Sequence, residues 1–394
     1  MLKKITKLKL VLYTTVHFLW KWVKNPFSIV SSIKSAHLSI KNGGLKSLTD
    51  EIFRNYLPRK YLLKTKIHIK EPSSSIHSKI KTNITEDGLS VSNNPYQISK
   101  KVRILVIRTG AMGDVLLATP TIRTLHEQYA GLCSIDIATR YPEIFNNNPY
   151  ITKTLTIQEL RSLEQPYDLI INLDSTYEKN RYLHITQAYN FHTFGITDKN
   201  LDLQPELFPS ITDTDFSKDY VDQINGPYIV CHNRFDISQP YRNVRTNDWQ
   251  KLICSLSEKT NFKILQIGSS DMDIAVNLDN PNLIDARDKF NLQQLREVIA
   301  GAQLFLGTDA GPLHIAATTN TPIVSFFTIA HHEVRKPLRN KSVGFSAITP
   351  NVNCYGCQNK FQYGIEWRCE REDFACTASF NIDKALEECL SFIS

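Results

Sequence analysis

A short turn after the first strongly apolar run of the chain has residues suited to chemistry. Residues 108–114 (RTGAMGD) form a loop with Gly110, Met112 and Gly113, and the loop ends at Asp114. The glycines let the backbone approach a ligand, and a helix beginning here favours negative charge at its N-terminus. Asp114 is therefore either the cap of that helix or a general base, and the spacing leaves both open.

A second loop suits an anion. Residues 307–314 (GTDAGPLH) lie between an apolar run and a helical one, so that Asp309 could cap the helix, Gly311 could turn the chain and Pro312 would occupy a favoured first helical position. Such a turn presents backbone N–H groups to a phosphate. His314 is either a further donor to that anion or a satisfied, partly buried histidine.

Four of the eight cysteines are close together in the sequence, at Cys354, Cys357, Cys369 and Cys376. Without a convincing signal peptide we expect a reducing compartment, which favours metal binding or free thiols over disulfides. Four thiolates of this kind can build a tetrahedral structural site for Zn or Fe.

The elements that position these loops alternate between β-type and helical patterns. A division near residue 100 and a break at residues 208–226 predict a basic N-terminal extension and linker (1–100) followed by two Rossmann-like domains, 101–225 and 226–394. Strands are predicted at residues 102–107, 134–138, 169–172, 228–231, 263–267, 304–307 and 323–327, and helices at 115–129, 248–257 and 292–300.

Charge is unevenly distributed along the 394 residues. Residues 1–100 contain 18 Lys and Arg against 5 Asp and Glu, although the whole chain carries only +7. The remainder is mildly acidic, which argues against a nucleic-acid partner. With 42% hydrophobic and 22% charged residues, the chain is not collagen, a coiled coil, a small disulfide scaffold or a polytopic membrane protein.

The basic N-terminal extension begins with an apolar run at residues 10–20 between lysines. Its 11 residues are too few to span a bilayer, and Trp20 and Trp22 stand where a signal peptide needs small residues. The segment is suited to lying on an anionic membrane surface, and packing on the body or on another subunit is the alternative.

Two long motifs resemble glycosyltransferase family 9, the ADP-heptose heptosyltransferases. They are residues 104–125 (ILVIRTGAMGDVLLATPTIRTL) and 304–327 (LFLGTDAGPLHIAATTNTPIVSFF), and the similarity extends over roughly residues 101–390. The resemblance implies an α/β GT-B fold of two Rossmann-like domains facing a cleft. It also implies inverting, metal-independent transfer of heptose from ADP-L-glycero-β-D-manno-heptose, with no catalytic cofactor.

The resemblance assigns roles to both loops. Asp114 aligns with the family's proposed base, which makes Gly110, Met112 and Gly113 the acceptor-side loop. The residues that align with the family's pyrophosphate loop are Asp309, Ala310, Gly311, Pro312, Leu313 and His314.

Three positions depart from the family pattern or match it weakly. Ala310 stands where Ser or Thr is usual, and Arg242 or Arg245 replaces a phosphate-binding Lys. Gly268 belongs to a segment that resembles the one near the adenosine. These departures make a different nucleotide sugar an alternative donor.

The expected acceptor is a lipid-linked cell-envelope saccharide, such as lipopolysaccharide core, reached from the cytoplasmic face of the inner membrane by a peripheral enzyme. The runner-up is a protein acceptor, as in the autotransporter heptosyltransferases, which form large rings and carry an iron-bound four-cysteine finger; a homo-oligomer fits either. An inactive sugar-nucleotide sensor is a further alternative, which the presence of Asp114 disfavours.

Overall fold

The computed structural model describes most of the chain after residue 101. The described residues are 102–129, 132–161, 167–195, 201–236, 238–271, 273, 279–339, 342–360 and 367–393. The N-terminal extension, with its predicted lipid-binding run and linker, lies outside them. Within the described ranges, no helix combines the length and the apolar character needed to cross a bilayer.

The first sheet has four parallel strands in the order β3-β2-β1-β4. Its strands are β1 (Val102–Arg108), β2 (Cys133–Thr139), β3 (Lys153–Leu155) and β4 (Leu169–Asn172). Its helices are α1 (Met112–Leu116), α2 (Thr119–Tyr129), α3 (Ile157–Arg161), α4 (Thr176–Lys179) and α5 (Ile185–Phe194). Because β1 is central, the loop that follows it emerges from the middle of the sheet.

The second sheet has six parallel strands in the order β10-β9-β8-β5-β6-β7. Its strands are β5 (Tyr228–Cys231), β6 (Lys263–Gln266), β7 (Leu283–Asp285), β8 (Leu304–Thr308), β9 (Ile323–Phe326) and β10 (Phe345–Ile348). The helices are α6 (Ile211–Asp222), α7 (Thr246–Lys259), α8 (Leu292–Ala300), α9 (Gly311–Ala316), α10 (Cys357–Lys360) and α11 (Ile382–Ile393). Short 3-10 turns occur at Pro142–Phe145, Pro240–Arg242, His332–Val334 and Ala375–Thr377.

Apolar side chains cover the strands on both faces, as parallel sheets require. One continuous cluster joins residues such as Ile104 and Val106 of β1 to Phe305 of β8. A second cluster fills the space between the second sheet and helices α7 and α11, with Trp249 1% exposed. The two sheets are thus firm platforms for the loops at their carboxyl ends.

The predicted α/β class and the seven predicted strands are confirmed to within one or two residues at each end. The predicted helix 115–129 is instead two helices, because Pro120 has no N–H to continue α1 and starts a new helix better than it extends one. Helix α6 occupies the predicted break at 208–226, where Ser210 caps it by accepting from the N–H of Asp213 at 3.1 Å.

Candidate active site

The loops after β1 and β8 face each other across a cleft of about 260 Å³. The carboxyl ends of parallel strands are where such folds bind ligands. We call the side of the first sheet the first wall and the side of the second sheet the second wall. The first wall contributes Ala111, Gly113, Asp114, Tyr177, Glu178 and Arg181. The second wall contributes Arg234, Arg242, Asp309, Ala310, Gly311, His314, Arg335 and Gln358.

Asp114 is part of α1 and also faces the cleft. The helix is capped by Ala111, and Asp114 stands three residues further on, where its Oδ2 accepts the N–H of Ala111 at 3.3 Å. The same Oδ2 accepts from Arg108 Nη2 at 3.0 Å. Asp114 can therefore stabilise the helix start and line the cleft at the same time. Its Oδ2 makes the bonds to Ala111 and Arg108, and the side chain remains 22% exposed.

Arg108 is the main partner of this carboxylate, and sequence reasoning missed it. Its side chain is 1% exposed and lies within 4 Å of three acidic side chains: Asp114, Asp174 at 3.2 Å and Glu178 at 3.8 Å. Burial alone would lower the pKa of Arg108, but Tyr189 and these carboxylates outweigh it and raise the pKa. A charged residue ending a buried strand was the available signal, because a buried cation needs partners.

Two glycines allow the close contacts of this loop. A Cβ at Gly110 would lie 2.7 Å from Arg108 Nη2 and 2.9 Å from Asp114 Oδ2. A Cβ at Gly113 would lie 2.5 Å from Cδ2 of His314 on the second wall. Met112 reaches across the same gap to Gly311. Helices α1 and α9 can therefore touch only because Gly113 and Gly311 lack side chains.

On the second wall, Arg242 pairs with Asp309. Its Nη2 donates to the backbone oxygen of Asp309 and lies 3.4 Å from Oδ2. Burial would raise the pKa of Asp309, but Arg242, Arg335 and His314 hold it below its ordinary value. The prediction that Asp309 caps α9 is wrong: Ala310 is the cap residue, and the Asp309 side chain is drawn to Arg242 instead.

His314 is buried in the first turns of α9, where Gly311 is the first residue of the helix and Pro312 the second, one position later than predicted. Burial lowers the pKa of His314 to about 4, so the ring is neutral near pH 7. Its Nδ1 is buried with no hydrogen-bond partner among the described residues. A neutral imidazole has one N–H to donate, which is compatible with the predicted contact to an anion.

Other predicted residues lie away from the cleft lining. Arg245 is exposed, and its backbone N–H donates to Thr377 O at 3.3 Å. Gly268 follows β6 with φ +135° and packs against Asp273, and Leu313 is in the apolar core. Of the two candidate arginines, the structure therefore brings only Arg242 to the cleft.

Several lining residues had no signal in the sequence. They come from α4 and the loop after it, from the loops after β5 and β9, and from helix α10: Tyr177, Glu178, Arg181, Arg234, Arg335 and Gln358. They meet only because the chain folds back between distant strands.

All eight cysteines are free thiols. Cys354, Cys357, Cys369 and Cys376 are near enough for the thiols to influence one another, and burial raises the pKa of Cys376 to about 12. Trp367 Nε1 donates to Cys357 Sγ at 3.3 Å. In the described part of the chain, however, no three His, Cys, Asp or Glu side chains converge as a metal-binding group.

The two parallel sheets facing a cleft form a GT-B fold, which solved structures of family 9 glycosyltransferases share. The profile of "Glycosyltransferase family 9 (heptosyltransferase)" matches residues 158–363, just over half of the chain. The chain belongs to this family.

Individual relatives agree with this assignment. Lipopolysaccharide heptosyltransferase 3 of Escherichia coli strain K12 is 23% identical over 60% of this chain and 85% of its own length. Another Escherichia coli protein of that name is 36% identical, but only over 19% of this chain and 22% of that protein.

Two solved structures share the fold. Escherichia coli ADP-heptose lipopolysaccharide heptosyltransferase II has a TM-score of 0.52 at 15% identity, over 74% of this chain and 98% of that one. The iron-containing dodecameric glycosyltransferase TibC of enterotoxigenic Escherichia coli has a TM-score of 0.53 at 15% identity, over 74% and 76%.

Proposed function

We propose that this protein transfers heptose, with inversion, from ADP-L-glycero-β-D-manno-heptose to a hydroxyl of a cell-envelope saccharide. The observation that carries the proposal is the meeting, in one cleft, of the Asp114 carboxylate with the Asp309–His314 loop and Arg242. The names of the relatives, which include an ADP-heptose enzyme, support the donor, and those of the lipopolysaccharide enzymes support the acceptor class.

On the acceptor side, Asp114 is the general base. The acceptor oxygen attacks the anomeric carbon, its proton passes to the carboxylate, and the bond from that carbon to the diphosphate oxygen breaks on the opposite face. Oδ2 is already held by Arg108, so Oδ1 is the oxygen that takes the proton. A base of this kind contributes about 10²- to 10⁴-fold to the rate.

On the donor side, charge grows on the leaving diphosphate. The backbone N–H groups of Ala310 and Gly311, at the start of α9, are the donors to that charge. Asp309, Pro312 and Leu313 shape the loop, because Pro312 has no N–H and the N–H groups of Asp309 and Leu313 donate to Phe326 O and Ala310 O. His314 adds a neutral donor. Arg242, whose Nη2 contacts Asp309 in this loop, can pair bidentately with phosphate. Preorganised donors and a guanidinium supply the stabilisation that such a transfer needs without a catalytic metal.

The test is Asp114→Asn, which keeps the size of the side chain and its bond to Arg108. ADP release in the presence of an acceptor saccharide should fall about 10²- to 10⁴-fold, while the calorimetric Kd for ADP-heptose stays near that of the wild type. Near-normal turnover would refute the base, and failure of the wild type to bind ADP-heptose in a panel of ADP-, GDP-, UDP- and dTDP-sugars would refute the donor.

A protein hydroxyl is the second candidate acceptor, favoured by the four neighbouring cysteines and by the fold shared with iron-containing TibC. We propose that Cys354, Cys357, Cys369 and Cys376 hold a structural Zn or Fe ion. The four sulfur donors fit either metal in kind. Metal analysis of the purified protein, beside Cys354→Ser/Cys357→Ser, tests this; a wild type free of both metals would refute it. Transfer to a serine-rich passenger protein but not to a core saccharide would select the second acceptor.

We further propose that residues 1–100 attach the enzyme to the cytoplasmic face of the inner membrane, ahead of an acceptor domain (101–225) and a donor domain (226–394). The lysines around residues 10–20 support attachment to anionic lipid. The full chain should co-sediment with phosphatidylglycerol vesicles at low salt, and a variant with Lys3, Lys4, Lys7 and Lys9 changed to Glu should remain in solution. Equal sedimentation of both would refute the attachment. Analytical ultracentrifugation of the wild type without vesicles measures whether subunits associate.

A further inference from the structure

Arg335 extends from the second wall to the base on the first wall. It follows the 3-10 turn His332–Val334, and its side chain is 14% exposed. Its Cζ lies 4.7 Å from the centre of the Tyr177 ring, and its Nη1 lies 3.9 Å from Asp114 Oδ1. A buried cation that stacks on an aromatic ring is held in place more firmly than a surface arginine.

The two oxygens of Asp114 are treated differently. Oδ2 accepts from Arg108 and from the N–H of Ala111, whereas Oδ1 faces Arg335 at 3.9 Å. That separation is within reach of charge attraction but too long for a hydrogen bond. Arg335 can therefore hold the direction of Oδ1 while leaving its lone pairs for the acceptor hydroxyl.

Tyr177, on which Arg335 stacks, is held by hydrogen bonds that join the two walls. The hydroxyl of Tyr177 accepts from Asn359 Nδ2 at 3.3 Å, and the same amide donates to Arg181 O at 2.8 Å. Asn359 Oδ1 accepts the N–H of His331 at 2.8 Å. Asn359 is 6% exposed, so these bonds are shielded from water.

Charge and burial agree with this geometry. Burial would lower the pKa of Arg335, but Tyr177, Asp309 and Asp114 outweigh it and raise the pKa, so the guanidinium is always charged. Its Nε is buried with no hydrogen-bond partner in the described structure. What holds the group in place is therefore the ring and the two carboxylates.

We propose that Arg335 is a positioning residue for glycosyl transfer: stacked on Tyr177, which Asn359 anchors, it aims Oδ1 of Asp114 into the cleft. This inference rests on the proposed role of Asp114 as the base. It places a part of the acceptor-side machinery on the donor-side wall, in a loop that neither motif of the sequence includes.

The main test compares Arg335→Gln and Arg335→Lys with the wild type, with the exposed Arg140→Gln as control. Misplacing a catalytic group by about 1 Å can cost about 100-fold. We expect Arg335→Gln to lower kcat about 10- to 100-fold, with the donor KM and the Kd for ADP within about twofold of the wild type. Arg335→Lys, which keeps the charge, should recover part of kcat, and Arg140→Gln should match the wild type.

Tyr177 provides a second arm. Tyr177→Leu should lower kcat as Arg335→Gln does, and the double variant should be little worse than either, because both remove one arrangement. Tyr177→Phe keeps the ring but loses the hydroxyl that Asn359 holds, so its kcat should lie between those of the wild type and Tyr177→Leu. Fully multiplicative losses in the double variant would refute the shared arrangement.

Two results would overturn the proposal. An unchanged kcat in Arg335→Gln would show that Arg335 has no part in the reaction. A Kd for ADP weakened as much as in Arg242→Gln would show that Arg335 binds the nucleotide sugar instead of positioning Asp114. A crystal structure of Arg335→Gln provides a readout without activity: Asp114 Oδ1 should turn away from its wild-type direction, and an unmoved side chain would refute positioning. This readout still applies if the wild type proves not to use ADP-heptose, in which case the proposed function fails separately.

Discussion

Gly113→Ala tests the contact between the two walls most directly. The added Cβ would lie 2.5 Å from His314 Cδ2, about 1 Å inside an ordinary contact, and 3.6 Å from the Cα of Gly311. The His314 side chain is 3% exposed, so close neighbours limit how far the ring can move aside. Overpacking of this kind costs about 1–3 kcal/mol. Replacing Gly by Ala in a helix stabilises it by about 1 kcal/mol, so we expect a net loss of up to about 2 kcal/mol in the free energy of unfolding.

The assay is urea unfolding followed by far-UV circular dichroism, in wild-type and His314→Ala backgrounds. Without the imidazole, the clash disappears and only the helix gain remains, so Gly113→Ala should be neutral or stabilising there. The sign of the effect therefore depends on the partner residue, as in a double-mutant cycle between contacting groups. An equal effect of Gly113→Ala in both backgrounds would refute the contact between α1 and α9.

Three further predictions concern charges of the cleft. Arg108→Met should lower the free energy of unfolding by about 3–5 kcal/mol in urea titrations, because it removes the buried cation that Asp114, Asp174 and Glu178 share. A loss under about 1 kcal/mol would mean that water already screens these acids. Arg242→Gln should weaken ADP binding, measured as the calorimetric Kd, at least about tenfold, since a charge-assisted hydrogen bond is worth about 1.5–3 kcal/mol. The control is Arg245→Gln at an exposed position, which should leave the Kd unchanged. Equal effects of the two substitutions would contradict the assignment of Arg242 as the phosphate-binding arginine. The pKa of His314 is lowered to about 4 in the folded protein. Below about pH 6.5 the unfolded chain binds a proton at this histidine, whereas the folded protein does not, so the free energy of unfolding decreases as the pH falls. His314→Gln should lose about 2 kcal/mol less than the wild type between pH 7 and 5, and parallel pH curves would contradict the buried neutral ring.

Much of the fold could be predicted because parallel strands buried on both faces are continuous apolar runs. Residues 169–172, 228–231 and 292–300 match β4, β5 and α8 at both ends. The edge strands β3, β7 and β10 were missed, because three or four residues with partial exposure carry little pattern. Helix α6 was hidden by its polar face, and its place is decided by packing against α8.

The candidate site divides in the same way. By itself the sequence determined the two loops, since glycines, an acid and a helix start are local features, and these loops led to the family. Only the tertiary structure decided which groups meet them. Arg108, Tyr177, Arg335 and Asn359 are far apart in the chain, and no spacing rule joins them. The structure likewise places Arg242 rather than Arg245 in the cleft. It also shows that Asp309 pairs with Arg242 and does not cap α9. The physical reason is that a buried charge needs a partner, and folding decides which residue that is, as when Arg108 meets Asp174 and Arg242 meets Asp309 from distant parts of the chain.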